Sequence, residues 1–590
     1  MKLLVNPMKI KQIGPYNGDI IDTILKNRNI KDIDTFLNPN SSEDLNPFDL
    51  HNIELGANVL LAHLLINDHI GILVDADADG FSSASIIYQY IKKIEPDSHV
   101  SYFLHDRKAH GLTDEISQKI ADSSIDLIII PDAASNDVDE LQRLYYMGID
   151  IIVLDHHEVD KMPTHGILIN NQLDENKSTN KNLVGAGMAY KFCQALDRIL
   201  DTHYADDLLD LVAIGQIGDT SDISENEVRN LVFRGLETIN NPLVRVIVMD
   251  VFGSLEGIAP KDLSFSIIPM INAVVRVGTE DEKDLLFRAL NKIGDGRVWN
   301  VEKRKKNKTT GKFEKILVEQ DLYEYAYDMM KKVKGRQNSM IKKSLEKLSS
   351  STYKEGGISI ALLDSSDEAA ITGLVANKVA KKYQKPALVL YYKDKKYVGS
   401  GRGDEKVLSS LKDWCNETGL VEFAQGHANA FGISIPENNF DEFKRRTHEV
   451  EQNEFVYEVD LIVKENVNRS IIEDVTDNKH LFGGKVQEPL LAFVGIKINK
   501  NFIRQKGSML TFYENGVEFV MYGAPEGLYE SLKNNFDRQI TMDFVGTPSV
   551  NVYGNKRTLQ LVLVDCERNE SGQYDFIEVP DEITAETIIF

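Results

Sequence analysis

The sequence predicts an α/β protein of several domains: a parallel sheet wrapped by helices in the first half, a long connecting helix, a second α/β unit, and a closing run of antiparallel strands. Three observations predict it. The 590 residues are too many for one hydrophobic core, so two to four domains are expected. From about residue 70 to 240, short apolar runs alternate with helical stretches, the pattern of a parallel sheet with helices on both faces. In the final third, alternating apolar residues are separated by turn signals such as "ENG" and "YGN", the pattern of short strands.

Composition narrows the class. Hydrophobic residues at 42% and charged residues at 27% are ordinary for a soluble globular protein. No apolar run reaches about 18 residues, so no membrane span is expected. The start, "MKLLVNPMKI", lacks a signal-peptide core. Cys193, Cys415 and Cys566 are too scattered for a zinc site and point to a reducing, cytoplasmic setting. A formal charge of −24 argues against indiscriminate coating of nucleic acid but not against a local basic groove.

In the first half, "IGILVD", "HVSYFL", "DLIIIPD", "IDIIVLDHHE" and "ILINN" read as five successive strands, and "SSASIIYQYIKKI" as a helix after the first. Ligands of such sheets gather at the carboxyl ends of the strands, and the unusual polar residues fall there. Asp75 and Asp77 follow the first strand, Asp132 the third, and Asp155, His156 and His157 the fourth; "LVAIGQIGDTSD" then empties a helix into Asp219. Carboxylates and imidazoles on one edge are the ligands of divalent manganese, magnesium or zinc. Two such ions about 4 Å apart share a carboxylate and generate a nucleophilic hydroxide. Each carboxylate taken singly also serves as a helix N-cap. Asp79, directly before the helix, is assigned to that capping role.

The motifs "DADADG", "PDAASND", "LDHHE" and "GQIGDTSD" resemble the four successive motifs of the DHH phosphoesterase family. The resemblance implies metal ligands at Asp75, Asp77, Asp132, His156 and Asp219, with Asp132 bridging two ions. It implies a contact from His157 to the scissile phosphate and an orienting role for Asp155 beside the neighbouring imidazole. There are departures: Ala133 and Ala134 follow Asp132 where the family often has Asn-Gly or Cys-Gly, and Leu73 stands where His is common.

Further stretches are similar to the RecJ-type single-strand-specific DNA exonucleases: "LHDRKAHGLTDE", "LVGAGMAYKF", "NEVRNLVFRGLETIN" and "FSIIPMINAVVRVG". That match implies that Arg107 and Arg276 face DNA phosphates, and a guanidinium fork suits a phosphate. "VEKRKKNKTTGKFEK" reads as a basic loop; its lysines track a DNA backbone or are simply solvated. A long helix follows. In residues 357–435, "YVGSGRGDE" and "FAQGHANAFGISI" resemble the phosphate loops of the DHH-associated domain. They imply substrate binding by Ser400, Arg402, Gly426 and His427, with Gln425 replacing a family glycine. The final strands resemble an antiparallel β-barrel of the oligonucleotide-binding type, where Phe512, Tyr513, Tyr522, Tyr553, Lys556 and Arg557 are candidate contacts or core residues.

The expected organisation is a lead-in over 1–49, the DHH domain over 50–300, the basic loop and connecting helix over 301–350, the DHH-associated domain over 351–452, the barrel over 453–567 and an acidic tail over 568–590. The resemblance implies a Mn²⁺- or Mg²⁺-dependent exonuclease. It would release 5′-mononucleotides from the 5′ end of single-stranded DNA in recombination, repair or replication. Single-stranded DNA is then the partner, with a single-strand-binding protein or helicase beside it, and the chain acts as a monomer. Two other readings stay open: a DHH phosphodiesterase of short oligonucleotides or cyclic dinucleotides, which the extra barrel argues against, and a silent DNA-binding scaffold, which the intact ligand positions argue against.

Overall fold

Five apolar segments pair in parallel in a computed structural model of the chain: Ile70–Val74 (β1), Val100–Leu104 (β2), Leu127–Pro131 (β3), Asp150–Asp155 (β4) and Ile167–Asn170 (β5), in the order β2-β1-β3-β4-β5. The structure describes residues 8–569 except 107–108, 307–312, 349–351, 354–355, 365, 384, 406, 451–455, 526, 535–537 and 554–555. β1 and β3 are buried along their whole length, as central parallel strands covered on both faces must be. One face packs Leu73, Ile128, Ile130, Ile151 and Val153 against Leu112, Ile116, Ile120, Leu141 and Leu144. On the helical side, Ala78–Ile94 (α1), Gly185–Leu200 (α2) and Leu209–Gly218 (α3) pack against one another. In this strand order the direction of winding reverses between β1 and β3. A crevice for ligand therefore opens where Asp75 and Asp132 leave their strands.

Helix α1 begins earlier than the serine-rich stretch suggests. Asp77 has extended backbone angles and its side chain accepts from the Gly80 amide at 2.9 Å, so Asp77 is the N-cap. Asp79 lies inside the first turn, and its expected capping role is corrected. The cap falls on Asp77 because β1 turns into the helix within three residues.

The larger unit, Pro39–Gln452, continues through Ile267–Val277 (α4) to a two-stranded hairpin, Trp299–Lys306 (β6) and Phe313–Gln320 (β7). The expected basic loop is thus mostly strand. Val301 opposes Val318 and Lys303 opposes Ile316, so Lys303 shares a face with apolar residues and pairs there with Asp328. Trp299 stacks on Tyr325 at 5.0 Å, from the long helix Leu322–Leu348 (α5). The lysines dominate the composition and hide the period of two.

A second sheet follows: Thr352–Tyr353 (β8), Ser359–Leu363 (β9), Ala387–Lys393 (β10), Lys396–Arg402 (β11), Phe423–His427 (β12) and Ala430–Pro436 (β13), in the order β12-β13-β11-β10-β9-β8. Only β9 and β10 run parallel, joined by the helix Thr372–Tyr383 (α6). This is the expected second α/β domain.

The smaller unit combines Met1–Asn38 with Asn453–Phe590. The lead-in is therefore divided: Ile10–Gln12 pairs in parallel with Tyr457–Val459, while residues from Pro39 belong to the larger unit. The closing sheet has seven strands, ordered Leu461–Lys464, Leu491–Asn499, Gln539–Tyr553, Lys556–Arg568, Val517–Met521, Met509–Glu514 and Arg504–Lys506. It is mixed, which corrects the expected antiparallel barrel. Leu461–Lys464 runs parallel to Leu491–Asn499, and Val517–Met521 parallel to Lys556–Arg568. The intervening helix Arg469–Asp477 supplies the crossover that a parallel pair requires. Among the described residues the pairings do not close into a ring. Most of the acidic tail lies outside the described residues.

Candidate metal centre

Four strand and helix ends converge on the crevice. Asp132 follows β3 with φ of 67°, and its amide donates to the Leu154 carbonyl at 2.8 Å. Ala134 has φ of 77°, so the turn adopts a left-handed residue where glycine costs least. His156 places Nε2 3.1 Å from Asp132 Oδ1 and 3.9 Å from Asp219 Oδ2. Asp132, Asp155, His156 and His157 form one group with ligand atoms mutually within 4.8 Å; Asp75, Asp77 and His110 form another.

Asp79 belongs to this centre. It is buried, accepts the Gly185 and Ala186 amides at 2.7 and 2.9 Å, and its charge acts on Asp132. Burial, followed by the charges of Asp219 and Asp77, pushes its carboxyl up to about 8. Burial and the neighbouring aspartates likewise raise Asp132 well above the carboxylate range. Buried carboxyls that disfavour one another's ionisation in this way are a group whose repulsion a cation would relieve. Glycines make the approach possible. A Cβ on Gly185 would lie 2.4 Å from that of Asp132, and one on Gly215 would lie 2.3 Å from Asp79 Oδ1.

Asp75 is more fully engaged by protein. Its Oδ1 accepts the Gly111 amide at 2.9 Å and its Oδ2 meets His110 Nδ1 at 2.6 Å. His105 Nε2 is 4.0 Å away, and burial, opposed by Asp75, holds that imidazole below its usual value. Lys283 donates to the His105 and Asp106 carbonyls, each at 2.9 Å, fixing the loop that carries His110.

The two histidines of the "DHH" segment are differentiated by Asp155. Its Oδ1 accepts His157 Nδ1 at 2.7 Å and the His156 amide at 2.7 Å, and its Oδ2 accepts the Ser135 amide at 3.0 Å. Burial opposes ionisation of Asp155, but the bond to His157 and the histidine charges outweigh it and depress its pKa. The same bond raises His157 to about 9, whereas burial lowers His156 to about 4. At neutral pH His156 is thus a neutral donor with a lone pair for a cation, and His157 a cation fit for a phosphate oxygen. The imidazole that Asp155 orients is His157.

Helix α4 and the second sheet contribute cations, Arg276 and Arg402. Burial lowers the Arg276 pKa and the Asp77 charge opposes it; burial and Arg276 lower that of Arg402. Ser400 Oγ lies 2.8 Å from Thr372 Oγ1 at the start of α6, and Gly373 leaves room for Arg402: a Cβ there would meet Nη2 at 2.6 Å. His427 acts on Asp219, whose carboxyl is raised by burial and Asp77 and lowered by His157, His427 and His110. Gly426 holds φ of 126° in β12 and its carbonyl accepts from Lys412 at 3.1 Å. Arg107 lies outside the described residues.

The closing sheet sorts its aromatics. Phe512 is fully buried 5.1 Å from Phe544, so it is core and not a contact. Tyr513 and Tyr522 are exposed; Arg557 pairs with Asp477. The side chains of Tyr553 and Lys556 lie outside the described residues. Asp79, His110, Thr372 and Lys283 are the site residues that sequence reasoning did not assign. The "AHG" after β2 was the available signal for His110.

Comparison with known proteins follows the same outline. Residues 69–216 match the model of the DHH family, N-terminal domain. The single-stranded-DNA-specific exonuclease RecJ of Bacillus subtilis (strain 168) is 22% identical over 567 residues, spanning 92% of this chain and 66% of that protein. A second protein of that strain, named as an SPbeta prophage-derived single-strand DNA-specific exonuclease, YorK, is 33% identical over 595 residues, covering 97% of this chain and all of the relative. The chain belongs to the RecJ-type DHH family. The fold agrees with that membership: RecJ from Thermus thermophilus, crystallised with Mn²⁺, superimposes with a TM-score of 0.67 at 20% identity, over 88% of this chain and 72% of that one.

Proposed function

We infer that the protein is a metal-dependent exonuclease of single-stranded DNA. The observation that carries the reading is the placing of the buried carboxyls of Asp79 and Asp132 beside neutral His156, in a chain similar over 97% of its length to a protein named for that activity. The donor set, carboxylate oxygens with one uncharged imidazole, suits a hard divalent cation. Asp75, Asp77, Asp132, His156 and Asp219 are the proposed ligands, with Asp79 added because its buried carboxyl feels the charges of Asp219 and Asp77 and acts on Asp132. Bound there, one or two Mn²⁺ or Mg²⁺ ions supply the positive charge that lets water attack phosphorus at neutral pH.

The chain's own groups do the rest. His157, held by Asp155, donates to a nonbridging oxygen of the scissile phosphate and gains strength as charge builds there. Arg276, Arg402 and Ser400, with Arg107, hold the terminal phosphate, and His427 approaches from the second sheet. Gripping a terminal phosphate favours removal of nucleotides from one end; family resemblance supports the 5′ end and 5′-mononucleotide products. The closing sheet, read as an oligonucleotide-binding fold, offers Tyr513 and Tyr522 for stacking against bases. We assign the enzyme to a monomer working beside a single-strand-binding protein or helicase in recombination, repair or replication. Three buried free thiols suit the cytoplasm.

The test is digestion of long single strands labelled at either end, with and without Mn²⁺, beside a duplex control. Mononucleotides released first from the 5′ label, only with metal and only from the single strand, are expected. An Asp132→Ala preparation with undiminished nuclease activity would overturn the assignment.

A further inference from the structure

A groove between α5 and α6 in the larger unit holds cations that the reaction chemistry leaves unused. Its volume is about 630 Å³, and it is lined by Asn338, Ile341, Lys342 and Leu345 from α5 and by Lys378 and Lys382 from α6. Lys334, Asn338, Ile341, Lys342 and Leu345 follow the three- and four-residue spacing of one helix face. That face runs about 17 Å, at 1.5 Å per residue. Glu346 also lines the groove and lies 3.9 Å from Lys342, offsetting part of one charge. Lys334, Lys378 and Lys382 have no carboxylate partner among the described residues.

The groove adjoins the element that carries Arg276: Val277, the next residue, packs in the same apolar cluster as Ile341 and Leu345. Lys334 is half-buried; burial, then the charges of Arg276 and Lys378, hold its ammonium below the usual value. Arg276 in turn acts on Arg402. Arg402, Arg276, Lys334 and Lys378 thus act on one another in turn as like charges, and of the four Lys378 lines the groove itself. In a chain of net charge −24, such crowding, offset only in part by Asp77 at Arg276 and Glu346 at Lys342, is eased by an extended polyanion lying along it. Ile341 and Leu345 give the floor an apolar strip between the lysine heads, which suits sugars and bases as well as phosphates.

We propose that the α5–α6 groove carries the phosphodiester backbone of the single strand beyond the reaction centre, with Lys342, Lys378 and Lys382 each pairing with a phosphate. The proposal rests on the exonuclease reading but is tested by binding alone. The full-length Lys342→Ala/Lys378→Ala/Lys382→Ala variant is titrated against a 3′-labelled, 5′-phosphorylated 20-nucleotide single strand by fluorescence anisotropy. The buffer contains EDTA, so affinity is read whether or not the chain hydrolyses DNA. Each lost phosphate contact removes about 0.7 from the slope of log affinity against log salt. The variant should therefore show a slope shallower by about 2, and a deficit that shrinks on a trinucleotide. Lys393→Ala/Lys395→Ala/Lys396→Ala, at the β10–β11 turn, changes net charge equally and should keep the parent slope. A triple glutamine variant replaces the alanine one if thermal unfolding shows a folding defect. Equal slopes for the parent and groove variants, the same loss in both triples, or a deficit independent of length would overturn the proposal. So would loss of affinity for a polyglutamate peptide alone, which would assign the groove to an acidic protein partner. Should nuclease assays fail while the groove variant still weakens strand binding, the exonuclease reading falls and the groove stands.

Discussion

Replacing Gly185 by alanine tests whether close packing at the start of α2 sets the metal centre. The new Cβ would meet Asp132 Cβ at 2.4 Å and Oδ1 at 2.5 Å, where ordinary contact begins near 3.4 Å, so something must yield by about 1 Å. Asp132 has little freedom: its φ is 67° and its amide is bonded to Leu154. If α2 yields instead, the bonds from the Gly185 and Ala186 amides to Asp79 lengthen. Either way a carboxylate moves. Overpacking of this kind costs roughly 1–3 kcal/mol, and a displacement of about 1 Å at a reacting centre costs on the order of 10²-fold in rate. The assay is turnover of an end-labelled single strand across a Mn²⁺ titration, beside thermal unfolding with and without metal. Gly335→Ala in α5 is the control. No atom lies within 4 Å of its added methyl, so it should stabilise by about 1 kcal/mol and leave turnover alone. Parent-like Mn²⁺ affinity and turnover in Gly185→Ala would refute the argument that this approach holds Asp132 in place.

Asp132→Asn should raise the unfolding temperature of metal-free protein, because it removes a buried repulsion, and should abolish the further rise with Mn²⁺ while cutting hydrolysis by on the order of 10³-fold. Asp79 has its folded pKa at about 8, above its ordinary 3.8. Its contribution to metal-free stability is full below the lower value and lost as pH rises through the higher one. Mn²⁺ should therefore release protons on binding at pH 7, seen by calorimetry in buffers of different ionisation enthalpy, and should stabilise more at pH 9 than at pH 6. His157 is raised from 6.5 to about 9 by Asp155, so the stabilisation it adds is present below 6.5 and fades as pH rises through 9. In Asp155→Asn the alkaline fall of the turnover profile should move to lower pH. His110→Ala should lower Mn²⁺ affinity, measured by titration, with little change in unfolding temperature.

The five strands of the first sheet were legible because each is a short apolar run ending in a polar residue, and a parallel sheet gathers those ends on one edge. Asp75, Asp132 and His156 come together for that reason, and Asp219 joins them from the end of α3. Asp77 and Asp79 exchanged roles because both fit a cap by spacing alone; only the point where the helix begins separates them. His110 reaches Asp75 through a loop folded back over the sheet, a contact with no periodic trace. The β6–β7 hairpin was hidden because lysines occupy both of its faces, Lys303 on one and Lys315 on the other. Phe512 and Tyr513 are neighbours in one strand, and strand register alone decides that the first faces inward and the second outward.

The pairing of Ile10–Gln12 with Tyr457–Val459 sets a timetable for biosynthesis. The first strand leaves the ribosome about 450 residues ahead of its mate, a wait of roughly 20–90 s at ordinary elongation rates. The larger unit is an uninterrupted stretch of chain and can finish folding meanwhile. Throughout that interval the amino-terminal segment presents unpaired backbone. Slow translation or a truncated message would therefore leave a sticky end on a chain whose reaction centre is already assembled.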